Sequence, residues 1–358
     1  VWIMAYTTID DPSAYFQTKI YSGTGSDLSL TFDGNSNMQP DWVWLKRRSG
    51  SGNHFAWDAV RGVNAALVPN DTDAEDTSGE SINYFDSFDS NGFTVGGGGY
   101  ANTNASGSTY VGWCWKAGTS FTNDASSTGI GTIDSTGSVN DTAGFSIISY
   151  NGTGANGSIK HGLSTAPRAM IFKNRDEGAE GWFVYHESVG NTKRAGLLDE
   201  NSSASTSSTF FQDTSPTSSI ITLGSNHGCN GPDKMICYVF AEKQGYSKFG
   251  SYTGNGNASG PFIYTGFKPA FIMYKNTARA ISWLIHDNKR LGYNPDNDEQ
   301  HPDTAAADGT DDRADILSNG FKIRESSNLM NVSGEQVVYM AFAESPFVNS
   351  KGVPTTAR

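Results

Sequence analysis

Charge is scarce in this chain, and positive charge scarcer. Only 17% of the 358 residues are Asp, Glu, Lys or Arg, and 25 basic residues face 37 acidic ones, for a net charge of −12. No basic run exceeds "KRR" at Lys46 to Arg48. A nucleic-acid binder needs a cationic stripe to displace counterions from phosphates, so that class is set aside. Anionic membrane surfaces are disfavoured on the same ground. No apolar stretch approaches the ~18 residues that span a bilayer, so no membrane insertion is expected. Cysteine is sparse too. Cys114, Cys229 and Cys237 are odd in number and irregularly spaced, which gives neither a disulfide framework nor a CxxC zinc pattern. Cys114 and Cys237 lie inside apolar runs and read as small core residues of a chain folded in a reducing cytosol.

What is present is glycine (41 residues), many Ser, Thr and Asn, and 12% aromatic residues. Disordered chains lack such aromatic content. The apolar runs are short, β-branched or aromatic, and bounded by Gly, Asn, Ser and Pro. No helical period is sustained. The composition predicts an all-β, turn-rich protein.

Three landmarks recur in order. The first is Tyr-x-Gly-x-Gly: Tyr21, Gly23, Gly25; Tyr150, Gly152, Gly154; Tyr252, Gly254, Gly256. The second is a proline, five mostly apolar residues and a lysine: "PDWVWLK" from Pro40, "PRAMIFK" from Pro167, "PAFIMYK" from Pro269. The third is an aromatic strand: "YVGWCWKA" from Tyr110, "MICYVFAE" from Met235, "VVYMAFAE" from Val337. The first two landmarks are separated by 19, 17 and 17 residues. Weaker echoes fill the gaps, such as "HFAWDAVRG", "WFVYHESVG" and "WLIHDNKR". Ordered landmarks at near-equal spacing predict three copies of one unit of about 100 residues, the size of a β-sandwich.

The expected organisation is an N-terminal arm (1–13), unit 1 (14–117), a Ser/Thr/Gly-rich flexible linker (118–142), unit 2 (143–243), unit 3 (244–347) and a C-terminal arm (348–358). Units 2 and 3, joined by a short segment, are expected to pack as a pair, with unit 1 hinged. The fold class is all-β: three tandem antiparallel β-sandwich domains of jelly-roll or lectin-like kind. The glycine segment closes a strand and supplies a tight turn. A dinucleotide loop would open a helix instead.

Catalytic patterns are not found. There is no HExxH and no GxSxG. No histidine column repeats between units, and each histidine reads as a partly exposed strand or loop residue. Glycoside hydrolysis needs two carboxylates held about 5–10 Å apart. The strands carry almost none, and Asp176, Glu177 and Glu180 in "RDEGAEGW" read as a hairpin loop. The acidic stretches "DTDAED" from Asp71 and "DGTDDRAD" from Asp308 read as solvated loops without EF-hand spacing. No cofactor or metal is expected. Trp42, Trp44, Trp113 and Trp115 lie in the most apolar strands and are assigned to the core. Sugar contacts, if made, would come from loop aromatics: Tyr100, Trp182 and Tyr293.

The phrases "MAYTTIDDPSAYFQT", "QPDWVWLKRRSG", "SPTSSIITLG", "FAEKQGYSKFGSYTGNGNASGPFIYTGFKPAF", "LSNGFKIR" and "YMAFAESPFVNSKGVPTTAR" resemble a family of repeat-containing structural proteins of tailed bacteriophages, often marine. The resemblance covers essentially the whole chain. It implies a virion protein built of concanavalin-like or lectin-like sandwiches, made in the host cytoplasm and without a known catalytic site. The expectation is a non-enzymatic tail-fibre or tail-spike protein that adheres to host surface polysaccharide. A capsid decoration protein is the alternative, and a polysaccharide depolymerase a third class. Expected partners are other virion proteins and further copies of the chain, as a trimer. Unit 2 departs most from the common pattern, with "SNHGCNGPDKM" in place of an Asn/Ser-rich loop.

Overall fold

The landmark runs form strands, and the strands pair in the same order three times. The structure, a computed structural model, describes residues 6–78, 83–98, 100–291, 294, 297–326 and 329–346. It is predominantly β, with 41% strand, 5% helix, several antiparallel sheets and no barrel. In unit 1 an opening strand (Phe16–Ser22) pairs with a closing strand (Thr109–Trp115). The closing strand pairs with a middle strand (Trp42–Arg47), and that with a return strand (Phe55–Asp58). Unit 2 repeats this order with Phe145–Asn151, Lys234–Phe240, Ala169–Asn174 and Phe183–His186. Unit 3 repeats it with Ser247–Thr253, Gln336–Pro346, Phe267–Asn276 and Leu284–Asp287. Each large sheet has a smaller companion sheet. In units 1 and 3 it has three strands: Leu28–Thr31, Phe85–Asp89 and Gly92–Val95, or Phe262–Tyr264, Ala314–Leu317 and Gly320–Ile323. In unit 2, Gly157–Lys160 pairs with Ile220–Leu223.

The middle strands are buried along nearly their whole length, not at alternate positions. A run of apolar residues without alternation is what a strand covered on both faces requires. In unit 1 one face, with Val43, Leu45 and Cys114, packs with Leu30, Phe85 and Phe93 of the companion sheet. The opposite face carries Trp42, Trp44, Trp113 and Trp115. It joins Ile171, Tyr238 and Phe240 of unit 2 and Phe271, Met273 and Phe342 of unit 3 in one continuous core. At its centre, the same position of each closing strand supplies one aromatic ring. Trp115 lies 6.4 Å from Phe240 and 5.6 Å from Phe342, and Phe240 lies 5.7 Å from Phe342. The expected core role of the four tryptophans holds, but their core is shared between units. The expected hinge at unit 1 does not hold, because unit 1 contributes four tryptophans to that shared core.

The expected linker is likewise ordered. Thr119–Asn123 and Ser135–Asn140 pair with each other, and the second pairs with Phe145–Asn151, extending the unit 2 sheet to seven strands. Ser and Thr suit such an extension, because backbone pairing carries it and only Phe121, Ile133 and Val139 need reach the core. Between the two strands a helical turn, Ala125–Thr128, is capped by Asp124 and closed by Gly129 at φ 67°. Of the N-terminal arm, Ile9 is buried in the shared core and Asp11 caps the turn at Pro12–Ala14, so this stretch is docked. The C-terminal arm, 348–358, lies outside the described residues.

The glycine segments are latched turns. The first glycine of each donates to a carbonyl near the start of the closing strand: Gly23 to Ser108, Gly152 to Asp233, Gly254 to Glu335, at 2.8–2.9 Å. A Cβ at these glycines would meet a backbone oxygen at 2.3, 1.9 and 2.2 Å. The last glycines, Gly25, Gly154 and Gly256, have φ of 75°, 65° and 67° and donate to Asn104, Asn230 and Asn331. Those three asparagines are fully buried, and each side-chain oxygen accepts a backbone N–H from inside the segment.

Candidate functional site

The lysine of the second landmark is buried in every unit. Lys46, Lys173 and Lys275 are 0% exposed, and desolvation lowers each to about 8, which leaves the ammonium charged at neutral pH. Backbone carbonyls surround them, and two of the three reach into the neighbouring unit. Lys173 donates to Thr72 of unit 1 at 2.7 Å, and Lys46 to Ala306 of unit 3 at 2.5 Å. The first position of the "HFAWDAVRG" echo behaves likewise. The Trp182 indole donates to the Val68 carbonyl at 3.0 Å, Trp283 to Leu197 at 2.8 Å, and His54 Nε2 lies 3.1 Å from the His301 carbonyl. Backbone bonds follow the same course: Glu75 N–H to Arg175, Ala204 N–H to Thr277, Asp308 N–H to Arg48. Thus the loop of unit 1 docks on unit 2, that of unit 2 on unit 3, and that of unit 3 on unit 1, closing a circle.

Two carboxylates tie these joints. Glu75 accepts from Arg61 of its own unit at 2.9 Å and Arg175 of the next at 2.7 Å. Asp308 accepts from Arg290 at 3.1 Å and Arg48 at 2.6 Å. Burial alone would raise the Glu75 carboxyl, but its arginine hydrogen bonds and charges outweigh that and lower it. The two acidic stretches expected to be solvated loops therefore carry the ion pairs of two joints.

The histidine expectation is also corrected. His54, His161, His186 and His286 are buried; the return strands, buried along their whole length, carry His186 and His286, and His54 directly precedes the third. Trp182 is not a surface aromatic: it is fully buried, its indole satisfied by the unit 1 loop. Tyr100 is half-buried and packs on Tyr84 at 4.3 Å and Phe55 at 5.7 Å. Tyr293 lies outside the described residues. The three loop candidates are not brought together. Of the acids in "RDEGAEGW", Asp176 pairs with Lys234 at 3.5 Å. Glu177 and Glu180 meet His227, with ligand atoms within 4.8 Å of one another, a set of donors that could hold a metal ion. His227 comes from "SNHGCNGPDKM", so both stretches in which unit 2 departs from the others meet in space.

Among the described residues, one surface cleft combines aromatic rings with polar and charged side chains. It lies where the segment joining units 2 and 3 meets the N-terminal stretch, has a volume of about 360 Å³, and is lined by Tyr6, Glu242, Gln244, Lys248, Tyr264 and Thr265 among others. Lys248 pairs with Glu242 at 2.8 Å. The Tyr6 hydroxyl donates to the Gly266 carbonyl at 3.3 Å. Burial first, then the hydroxyl of Tyr264, pushes the Tyr6 phenol up to about 12, so it stays a neutral donor and acceptor. Gly266 has φ 83°, and a Cβ there would meet the Tyr6 oxygen at 2.2 Å. A second cleft, of about 460 Å³, shares Glu242 and Gln244 and adds Arg168, Tyr185 and Glu187. Sequence reasoning missed this site. "EKQGYSK" looked like a connector, and Tyr6 lay in an expected arm.

Residues 11–346 match the family model of a domain of unknown function, DUF7483, and the chain belongs to that family. No curated protein matches the chain.

Proposed function

We propose that this member of the DUF7483 family is a non-enzymatic structural protein of a bacteriophage particle, with tail-fibre or tail-spike adhesion to host surface polysaccharide as its task. In this reading each unit is a lectin-like β-sandwich, the large sheet facing its smaller companion. The phrases that resemble phage structural proteins supply the location. The observation that carries the role is the shared core. Three units are locked into one body by their largest side chains, so that loops and companion sheets face outward on a rigid support. Such a body suits presentation and assembly, and repeated weak contacts on it gain avidity. Its partners in this reading are other virion proteins and further copies of itself, as a trimer. The test is mass spectrometry and cryo-electron microscopy of purified phage particles carrying the gene. The expected result is the chain in stoichiometric amount at the tail. Its absence from the particle would end the proposal.

One observation favours the alternative of a capsid decoration protein. The closed circle of three units gives a single chain an approximately threefold outline, which fits a threefold position on a shell. The same particle map separates the two readings.

A further inference from the structure

The three units serve as internal controls for one another, and one departure stands out. In the companion sheets, Leu30 of unit 1 pairs with Phe93, and Ile263 of unit 3 pairs with Phe321, in the same register. Both inward residues are buried. The outward neighbours differ. Unit 1 has Ser29 and Thr31, and unit 2 has Ser158 and Lys160 in the matching register. Unit 3 has Phe262 and Tyr264, exposed by 47% and 54%. The fold is therefore made without an aromatic ring at either position, by Ser29 and Thr31 in unit 1 and by a buried Ser158 and by Lys160 in unit 2. Two large rings stand on the outer face of an edge strand, about 7 Å apart along it; the Tyr264 hydroxyl meets that of Tyr6, while the ring faces are left to solvent. Exposed apolar groups set together mark a contact surface.

Tyr264 also forms the wall of the cleft of Tyr6, Glu242, Gln244 and Lys248. There the rings give way to a neutral phenol, an exposed amide and a paired carboxylate and ammonium. This mixture of ring faces with hydrogen-bond donors and acceptors, balanced in charge, matches one ligand chemistry. A sugar ring has an apolar C–H face that stacks on the electron-rich face of an aromatic ring, and a rim of hydroxyls that both donate and accept. An apolar peptide would leave the cleft's polar groups unpaired, at a cost.

We propose that Phe262, Tyr264 and the adjoining cleft of Tyr6, Gln244 and Lys248 form a binding site for a polysaccharide chain, found in unit 3 alone. The inference rests on the adhesion reading above and gives it a place on the molecule. The full chain is titrated calorimetrically with dextran, chitohexaose and O-polysaccharide released from host lipopolysaccharide. At least one should bind. The variant Phe262→Ser/Tyr264→Thr installs the residues of unit 1, so it keeps the fold, as circular dichroism will check. It should weaken binding at least tenfold. Gln244→Ala, on an exposed side chain, should weaken it severalfold and serves if the double variant fails to fold. Binding to none of the three glycans, or affinity unchanged in the folded variants, overturns the site. So does binding of host surface peptides in place of glycans. Glycan binding by a chain absent from phage particles would leave the site standing and remove the virion reading. A chain present in particles that binds no glycan would do the reverse.

Discussion

Burial decides what the histidines contribute. Desolvation pushes His161, His186 and His286 from 6.5 down to about 4, and His54 well below 6.5. His186 Nδ1 accepts the Ser188 N–H, so the proton sits on Nε2 and is donated to the Tyr339 carbonyl across the joint with unit 3. Protonating Nδ1 breaks that arrangement. The unfolded chain takes up these protons near pH 6.5 and the folded chain only near 4. Stability is therefore full above pH 6.5 and lost as pH falls from there toward 4, by about 1.4 kcal/mol per pKa unit for each group. Asp41 opposes this: burial raises it to about 6, so the folded chain holds a proton there that the unfolded chain has released. Burial also raises Asp86, Glu180, Asp199, Asp298 and Asp303, which oppose it at the acid end of the window. Urea midpoints should therefore fall most steeply between pH 6.5 and about 5, where the four histidines act. His186→Gln keeps a donor toward Tyr339 and should make that slope shallower. An unchanged slope would place the titration elsewhere. The acids of "RDEGAEGW" are given a different expectation. Replacing Asp176, Glu177 and Glu180 together by their amides should leave polysaccharide chain length after incubation as it is with the wild type. A cleavage activity that vanishes in this variant would overturn the non-enzymatic reading.

At the level of the strand, the 118–142 stretch gives the sharpest test. Gly137 stands in its second strand, where a Cβ would meet the Ile147 carbonyl oxygen at 2.1 Å and the Phe121 ring at 2.9 Å. Gly137→Val should destabilise the whole chain by about 1–3 kcal/mol, the usual cost of overpacking. Amide exchange across Thr136–Val139 should be as slow as in the strand beside it. A flexible linker would tolerate the change and exchange freely. The stretch was misread because Ser/Thr/Gly composition is shared by linkers and by strands that lean on a neighbouring sheet. The strand landmarks were legible for the opposite reason, since Trp42–Arg47, Ala169–Asn174 and Phe267–Asn276 are apolar enough to admit no other state. Their lack of alternation also held the key to the assembly, because "WVWLK" leaves no polar face. Taken as the core of an isolated sandwich, it hid the second covered face. The cleft was illegible since its walls come from positions 6, 242–248 and 264–265, and nothing local marks them. Phe262 and Tyr264 were visible in "PFIYTGF", but which ring points outward is set by the register with Phe321.

For the molecule as a whole, the decisive fact is that no unit owns the central core. Unit 1 taken alone would expose Trp42, Trp44, Trp113 and Trp115, and unit 2 alone would expose Ile171, Tyr238 and Phe240. It would also strand Lys173, Trp182 and Arg175 without the unit 1 carbonyls and carboxylate that satisfy them. A buried ammonium or indole left without its acceptor costs more than the bond itself contributes. Tandem domains with private cores would melt separately, and each could be expressed alone. This chain should instead unfold in one calorimetric transition. Residues 14–117 and 143–243, produced as separate fragments, should be aggregated or unfolded at the temperature where the full chain is native. Truncating the central rings makes the same point within the intact chain. Trp115→Ala, Phe240→Ala and Phe342→Ala lie in three different units, yet each removes a ring from one shared cluster. Each should lower stability by about 3–5 kcal/mol. Because the rings touch, the double variants should fall short of or exceed the sum of the singles, where independent domains would give strict additivity. Three resolved melting transitions, with each substitution shifting only its own, would show that the units are separate and that the shared core is not what holds them.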